Sequence, residues 1–579
     1  MLELLQLPAM RSKFVFRTQI LCGLFIFAAI LLVVRLYFVQ IVHGAAYQRD
    51  AEAQYVQTSP DTGSRAGIFF STKDGDLVSA AVMQTGWRIA IKPREIIDPQ
   101  DVYKQLYALA PIDSERFFAS AAKEDDPYEE IAFRVSDSAA SKIRKLAIPG
   151  VILVSDQWRF YPAHELAAHV VGFVGFKGQT KTGVYGLERS WQDSLIQTNS
   201  GRYMNPFAEI FLNLEAAVSS DPASHQGSIV TSIEPHVQAK LETTLDGVMK
   251  TYTPNLAGGI IMDPHTGEII AMAVRPGYDP NTYNTVSNVA VFSNPLVESI
   301  YEMGSIMKPL TMVAGIDMGV VSPKATYNDK GCIEKSGKKI CNYDGKARGV
   351  VSMQEVLSQS LNTGVSYVVD KIGHEAFGRY VEGFQLGSRT GIDLPNEAKG
   401  RIQAIQNGYD VDYASASFGQ GIAVSPIGMT RALAALANQG VLPTPHIVKA
   451  IKYESGIVRK IDTKEGLRVF SATTTDTVTN MLVTVFDDAL LKGVLKQEHY
   501  SIAAKTGTAQ IAIPGGSGYY EDRFLHSFFG YFPAYDPKFI VFLFAVEPHG
   551  AEFASATLAR PFADIAKLLI DYYDIPPDR

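Results

Sequence analysis

Residues 501–510 read SIAAKTGTAQ. Small and apolar residues flank Lys505, Thr506 and Gly507, and AQIAI follows, so the stretch predicts a β-strand whose small side chains let a second backbone reach its edge. The same three letters recur at Lys181, Thr182 and Gly183 in GQTKTGVYGL, a Gly- and Thr-rich stretch that reads as a loop. Three letters decide nothing by themselves. What separates the copies lies elsewhere on the chain.

Residues 301–319, YEMGSIMKPLTMVAGIDMG, put Ser305 and Lys308 three positions apart, on one face of a helix. The run after them is apolar almost all round, as in a buried helix. Pro309 fits a helix that begins near Ser305, because the first N–H groups of a helix have no intrahelical acceptor. Such a start places Ser305 at the positive end of the helix dipole, and Gly304 reads as leaving room for a substrate. Ser-x-x-Lys also occurs at Ser120–Lys123 and Ser336–Lys339, so the spacing alone carries little weight. Two downstream partners give it weight: Ser360 and Asn362 in LSQSLNTGV, and the lysine strand at 505.

The surroundings suggest an α+β domain. AGGIIMDPHTGEIIAMAV, residues 257–274, predicts a hairpin turning at Asp263–Gly267. Upstream, SIVTSI reads as a strand that leads into a helix with Val237, Leu241 and Leu245 on one face. A helical middle runs from about 296 to 440, HSFFGYFP and FIVFLFAVEP read as strands, and ARPFADIAKLLIDYY as a closing helix. Strands at both ends with helices between them predict one sheet assembled from distant segments.

The chain has 579 residues, 46% hydrophobic and 20% charged, enough for at least two folded domains. A net charge of −7 gives no support to nucleic-acid binding. Arg11, Lys13 and Arg17 precede an apolar run from Ile20 that continues past Arg35 to Val42, a little over ~20 residues and long enough to span a bilayer. Gly44–Ala46 resembles a signal cleavage site, but the run is too long for a usual signal core, which favours an uncleaved anchor. The expected order is a cytoplasmic tail (1–18), a transmembrane anchor (19–42), an N-terminal domain (43–225) and a catalytic domain (226–579) outside the inner membrane. Arg35 within the span either snorkels or meets a second membrane protein. Cys332 and Cys341 bracket the polar loop IEKSGKKI, where a loop-closing disulfide can persist in an exported domain. Two thiols with no suitably spaced His make no metal site.

The ordered set Ser305-Ile-Met-Lys308, Ser360-Leu-Asn362 and Lys505-Thr506-Gly507-Thr508, with intervals of about 55 and about 145 residues, resembles the penicillin-binding transpeptidases. GGIIMDPHTGEIIAMAVRPGYDPN, ASFGQGIAVSP and HSFFGYFPAYDPKFIVFLFAVEP resemble the same transpeptidase domain. RFYPAHELAAHVVGFVG and YGLERSWQDSL are similar to the N-terminal domain of the class B members, and KTGT with SFGQGIAVSP looks more like the cell-division type. Departures are Met303 for the usual Pro, Ile306 for Thr, Glu234 for Asp, and a loosened SRAGIFFSTKDGDLVS segment.

The resemblance implies a central antiparallel sheet with a helical subdomain, an elongated mixed N-terminal pedestal of dimerisation type, and no cofactor. It implies acyl transfer on peptidoglycan stem peptides ending in D-Ala-D-Ala. Ser305 would be the nucleophile, Lys308 its base, Ser360 a proton relay, Asn362 a peptide holder and Lys505 the neighbouring cation. Thr506, Gly507 and Thr508 would form the substrate strand, with β-lactams as covalent inhibitors. A multi-pass glycosyltransferase and other divisome or elongasome proteins would be partners. Rival readings are an elongation-type transpeptidase, a β-lactamase or D,D-carboxypeptidase, and a catalytically weak scaffold. Glu397 reads as structural.

Overall fold

The computed structural model describes residues 22–24, 26–33 and 35, then 65–196 and 227–579 apart from 178, 179, 407, 454, 455, 463–465 and 517. The described residues between 22 and 35 are helical and expose Leu24, Phe27, Ile30 and Leu32. Among the described residues no helix is long and apolar enough to cross a membrane. The expected tail at 1–18, and half of the expected span at 19–42, lie outside the described residues.

Five antiparallel strands form the sheet that carries the lysine strand: β1 (Leu256–Met262), β2 (Ile269–Arg275), β3 (Ala503–Ala512), β4 (Tyr519–Phe532) and β5 (Phe539–Val546). Their spatial order is β3-β4-β5-β1-β2, so β3 sits at an edge. The β1–β2 hairpin turns where Asp263 accepts hydrogen bonds from the N–H groups of His265 (2.8 Å) and Thr266 (3.3 Å), an Asx turn closed by Gly267 at φ 82°.

The helices of this domain include α1 (Pro235–Tyr252), α2 (Lys308–Asp317), α3 (Asn362–Ile372), α4 (Pro426–Ala437), α5 (Ala472–Thr484) and α6 (Ala554–Tyr572). Strands β4 and β5 read as almost continuous apolar runs because both faces are covered. Phe528, Val541 and Leu543 join Val237, Leu241 and Leu245 of α1 and Phe562 and Leu569 of α6 in one core. The alternate residues, Phe529, Phe542 and Phe544, belong to the second core with α2, α3 and α4. Each such side chain contributes about 1.5–3 kcal/mol by leaving water. Glu234 caps α1 by accepting from the Val237 N–H, the role an Asp there would also fill.

A seven-stranded sheet lies beside this domain. It takes Ile68–Ser71, Leu77–Ile91, Glu129–Val135 and Val151–Phe160 from the N-terminal part, and Ser228–Thr231, Val448–Lys452 and Val458–Lys460 from the catalytic part. Ser228–Thr231 runs parallel to Ile68–Ser71 and antiparallel to Val448–Lys452. The expected boundary near 225 thus falls in a stretch outside the described residues, and the sheet takes strands from either side of it. Glu188 is fully buried there between Arg65 (2.5 Å) and Arg159 (2.6 Å), a charge cluster that needs both partners to offset desolvation. Farther out, Ile89, Leu106, Phe117, Ile131 and Ile143 form a separate small core.

Candidate active site

The edge strand β3 meets the turn that carries Ser305. Gly507 packs so tightly that a Cβ there would stand 2.3 Å from Ser527 Oγ and 2.8 Å from the Met303 carbonyl. Ser527 of β4 completes the junction, donating to Met303 O at 3.0 Å. Gly304, at φ 66°, is wedged between Thr508–Ala509 and Gly419; its N–H donates to Gly419 O at 3.2 Å. Gly304 therefore serves a close backbone approach, and it also lines the cavity next to Ser305.

The turn itself differs from expectation. Gly304–Met307 is a 3-10 turn, and the α-helix α2 begins at Lys308, not near Ser305. Pro309 sits in the first turn of α2, where its missing N–H costs nothing. The 3-10 segment arises because Pro309 has no N–H to donate to the Ser305 carbonyl; the Lys308 N–H takes that carbonyl instead, an i→i+3 bond.

Lys308 is completely buried, and its Nζ donates to Ser360 O at 2.5 Å and to Ser360 Oγ at 3.0 Å. Lys505, also buried, reaches the same hydroxyl from β3 at 3.1 Å and its own strand's Thr506 O at 3.1 Å. Ser360 adopts φ 56°, left-handed for a residue with a Cβ, and turns both its oxygens to one ammonium. Burial, then the Lys505 charge, holds Lys308 well below the ordinary lysine value. Burial alone pushes Lys505 down to about 8.

Ser305, Ser360, Asn362, Lys505, Thr506 and Thr508 line one cavity of about 980 Å³. Asn362 opens α3 and donates to Cys341 O at 2.9 Å, tying the helix to a β-ribbon, Cys332–Lys335 with Lys338–Cys341. The ribbon turns at Ser336 and Gly337, both at positive φ, so IEKSGKKI is a hairpin and not an irregular loop. Cys332 and Cys341 face each other across it and are disulfide-linked. Thr508 Oγ1 accepts the Ala554 N–H at 3.1 Å and so caps α6. Asn342, next to the disulfide, belongs to a buried network in which Asp329 accepts from Asn342 Nδ2 (3.0 Å) and Thr363 Oγ1 (2.7 Å).

The chain resembles known proteins over most of its length. A family model described as the penicillin binding protein transpeptidase domain matches residues 257–567, and the penicillin-binding protein dimerisation domain matches 74–206. The chain belongs to the penicillin-binding protein transpeptidases. It is similar to stage V sporulation protein D of Bacillus subtilis, 28% identical over 91% of this chain and 81% of the relative. The peptidoglycan D,D-transpeptidase FtsI of Escherichia coli is 25% identical over 97% of this chain and 92% of its own. Among solved structures, penicillin-binding protein 3 of Mycobacterium tuberculosis without ligand superposes with a TM-score of 0.64 at 27% identity, over 73% of this chain and 92% of that one.

In this penicillin-binding transpeptidase the other Lys-Thr-Gly copy is not a loop. Thr180–Gly183 pairs with Val174–Lys177 in a two-stranded ribbon, where the Gly183 N–H donates to Gln192 Oε1 at 2.8 Å. Of the chance Ser-x-x-Lys pairs, Ser120 donates to Glu129 and Ser336 forms the ribbon turn. Glu397 accepts from the Thr390 and Gly391 N–H groups, shaping its loop. Sequence reading missed Ser527, Gly419 and the Tyr519–Glu302 bond of 2.9 Å beside the turn that carries Ser305. Only the glycines of FGQG gave a signal, as a demand for close backbone approach.

Proposed function

We propose that the chain is a serine D,D-transpeptidase that cross-links peptidoglycan stem peptides. The observation that carries this reading is the Ser360 hydroxyl held between two buried lysines, 3.0 Å from Lys308 and 3.1 Å from Lys505, in the cavity that Ser305 lines. A serine hydroxyl needs a base to act at neutral pH. Lys308, with its ammonium destabilised by burial and by Lys505, is that base.

Ser305 Oγ attacks the carbonyl of the penultimate D-alanine while its proton passes to Lys308 Nζ. Backbone N–H groups of Ser305 and Thr508 hold the oxyanion; loss of one such donor typically costs about 3 kcal/mol. The C–N bond breaks, and the departing D-alanine amine takes its proton from Ser360, which Lys308 replenishes. An acceptor amine then enters by the reverse path, forms the new amide and releases Ser305. The donor peptide lies along the free edge of β3, with its carboxylate on Lys505, Thr506 and Thr508 and its backbone held by Asn362. A β-lactam acylates Ser305 and stays, because no amine displaces it.

The FtsI relatives, matched over almost their full length, favour a septal role. An anchor at 19–42, a cytoplasmic N-terminus, a catalytic domain on the outer side of the inner membrane and a glycan-polymerising membrane partner complete the reading. The test supplies a pentapeptide ending in D-Ala-D-Ala and an amine acceptor to the full chain in detergent. Released D-alanine with a cross-linked product, both lost in S305A, supports the proposal. Hydrolysis without cross-linking indicates a carboxypeptidase, and no release from wild type indicates a scaffold.

A further inference from the structure

Residues 485–491 line the same cavity through Val485, Ala489, Leu490 and Leu491, an apolar wall in a site otherwise rich in polar groups. Their backbone is unusual. α5 widens into a π turn at Val485–Ala489, and Leu491 and Lys492 are both left-handed, at φ 47° and 56°. Neither is a residue that tolerates this region well, and such strain persists only where neighbours enforce it.

Residues 575–579 hold this segment on both sides of the left-handed pair, at Asp487 and at Gln497–Ser501. Arg579 grips the buried Asp487 of the π turn with both terminal nitrogens, Nη2 at 3.0 Å and Nη1 on the other oxygen. Nη2 also donates to Gln497 O at 2.5 Å, and Lys496 Nζ lies 3.9 Å from Asp487. Asp578 accepts from the Ser501 N–H at 2.7 Å and from the Ser501 hydroxyl. Its own N–H donates to His499 O at 3.0 Å, and Tyr500 donates to Ile575 O at 3.1 Å. Ser501 leads straight into β3, whose Lys505 is part of the site.

We propose that Asp578 and Arg579 are positioning residues. They clasp the 485–501 segment in its strained shape, so that Leu490 and Leu491 offer an apolar surface to the aliphatic part of the donor peptide upstream of its terminal alanines. This rests on the transpeptidase reading. The bidentate Arg579–Asp487 pair acts through the wall on binding, and leaves the Lys308–Ser360–Lys505 geometry in place.

The test compares wild type, R579A, K492G and R579A/K492G in stopped-flow acylation by a fluorescent penicillin with an apolar side chain. Amide hydrogen exchange is read over 485–494 in the same proteins. In R579A the dissociation constant of the non-covalent complex rises about tenfold, the scale of one residue's left-handed strain, and the acylation step at saturation is unchanged. Exchange in the wall quickens. K492G, which makes one left-handed position free of cost, restores most of both losses in the double variant. Wild-type binding by R579A, a double variant no better than R579A, or a loss confined to the acylation step would overturn the proposal. If wild type takes no label, the transpeptidase reading fails instead, and unchanged exchange in R579A then refutes the clasp on its own. Should R579A not fold, D487N removes the same charge pair and is read in the same way.

Discussion

Replacing Lys505 by methionine should make the protein more stable at neutral pH while abolishing its acylation. The ammonium is buried and held at about 8 against an ordinary 10.5, a cost of about 3 kcal/mol below that value. Methionine has a similar length and no charge to desolvate. It forfeits the bonds to Ser360 Oγ and Thr506 O, each worth about 1 kcal/mol. The net gain is about 1 kcal/mol, or roughly 1–2 °C in the unfolding midpoint of a domain that spans at least residues 257–567. The sign follows from linkage. A lysine whose folded value lies below its unfolded one penalises stability fully below about 8, and the penalty fades as pH rises towards 10.5. Thermal unfolding of wild type and K505M at neutral and at alkaline pH reads this directly. The advantage of K505M should shrink, then reverse, as pH rises. A variant less stable at neutral pH, or an advantage independent of pH, would refute the reasoning.

The acylation rate should follow a bell-shaped pH profile, measured with a fluorescent penicillin. Its acid limb reports proton loss from Lys308, well below 10.5, and its alkaline limb falls near 8 as Lys505 loses its charge. Gly304→Ala forces a Cβ at φ 66° to within 3.0 Å of Ala509 Cβ. It should cost about 1–2 kcal/mol in denaturant unfolding and slow acylation, because the turn carrying Ser305 must shift. Thr508→Val removes the acceptor for the Ala554 N–H. It should cost about 1 kcal/mol and weaken penicillin binding, whereas Thr508→Ser retains both.

Much of the fold was legible because its strongest signals are local. The Asp263–Gly267 turn and the Val237-Leu241-Leu245 stripe declare themselves within a few residues, and the apolar runs of β4 and β5 announce two covered faces. The ordered Ser305, Ser360 and Lys505 motifs named a constellation but could not give its contacts. The left-handed backbone of Ser360 and the two ammonium groups on one hydroxyl exist only once three distant segments have packed. The late start of α2 has a local cause: Pro309 cannot donate to the Ser305 carbonyl, so the turn before it closes with the 3-10 bond from Lys308. The strand pairing of Ser228–Thr231 with Ile68–Ser71 joins segments far apart in sequence, which no local pattern encodes.

Intact-mass and peptide-mapping measurement of the penicillin adduct bears most directly on the nucleophile. One β-lactam should add to the protein, on the peptide that contains Ser305, and the adduct should vanish in S305A. An adduct on another residue, or an S305A protein that labels like wild type, would contradict the account.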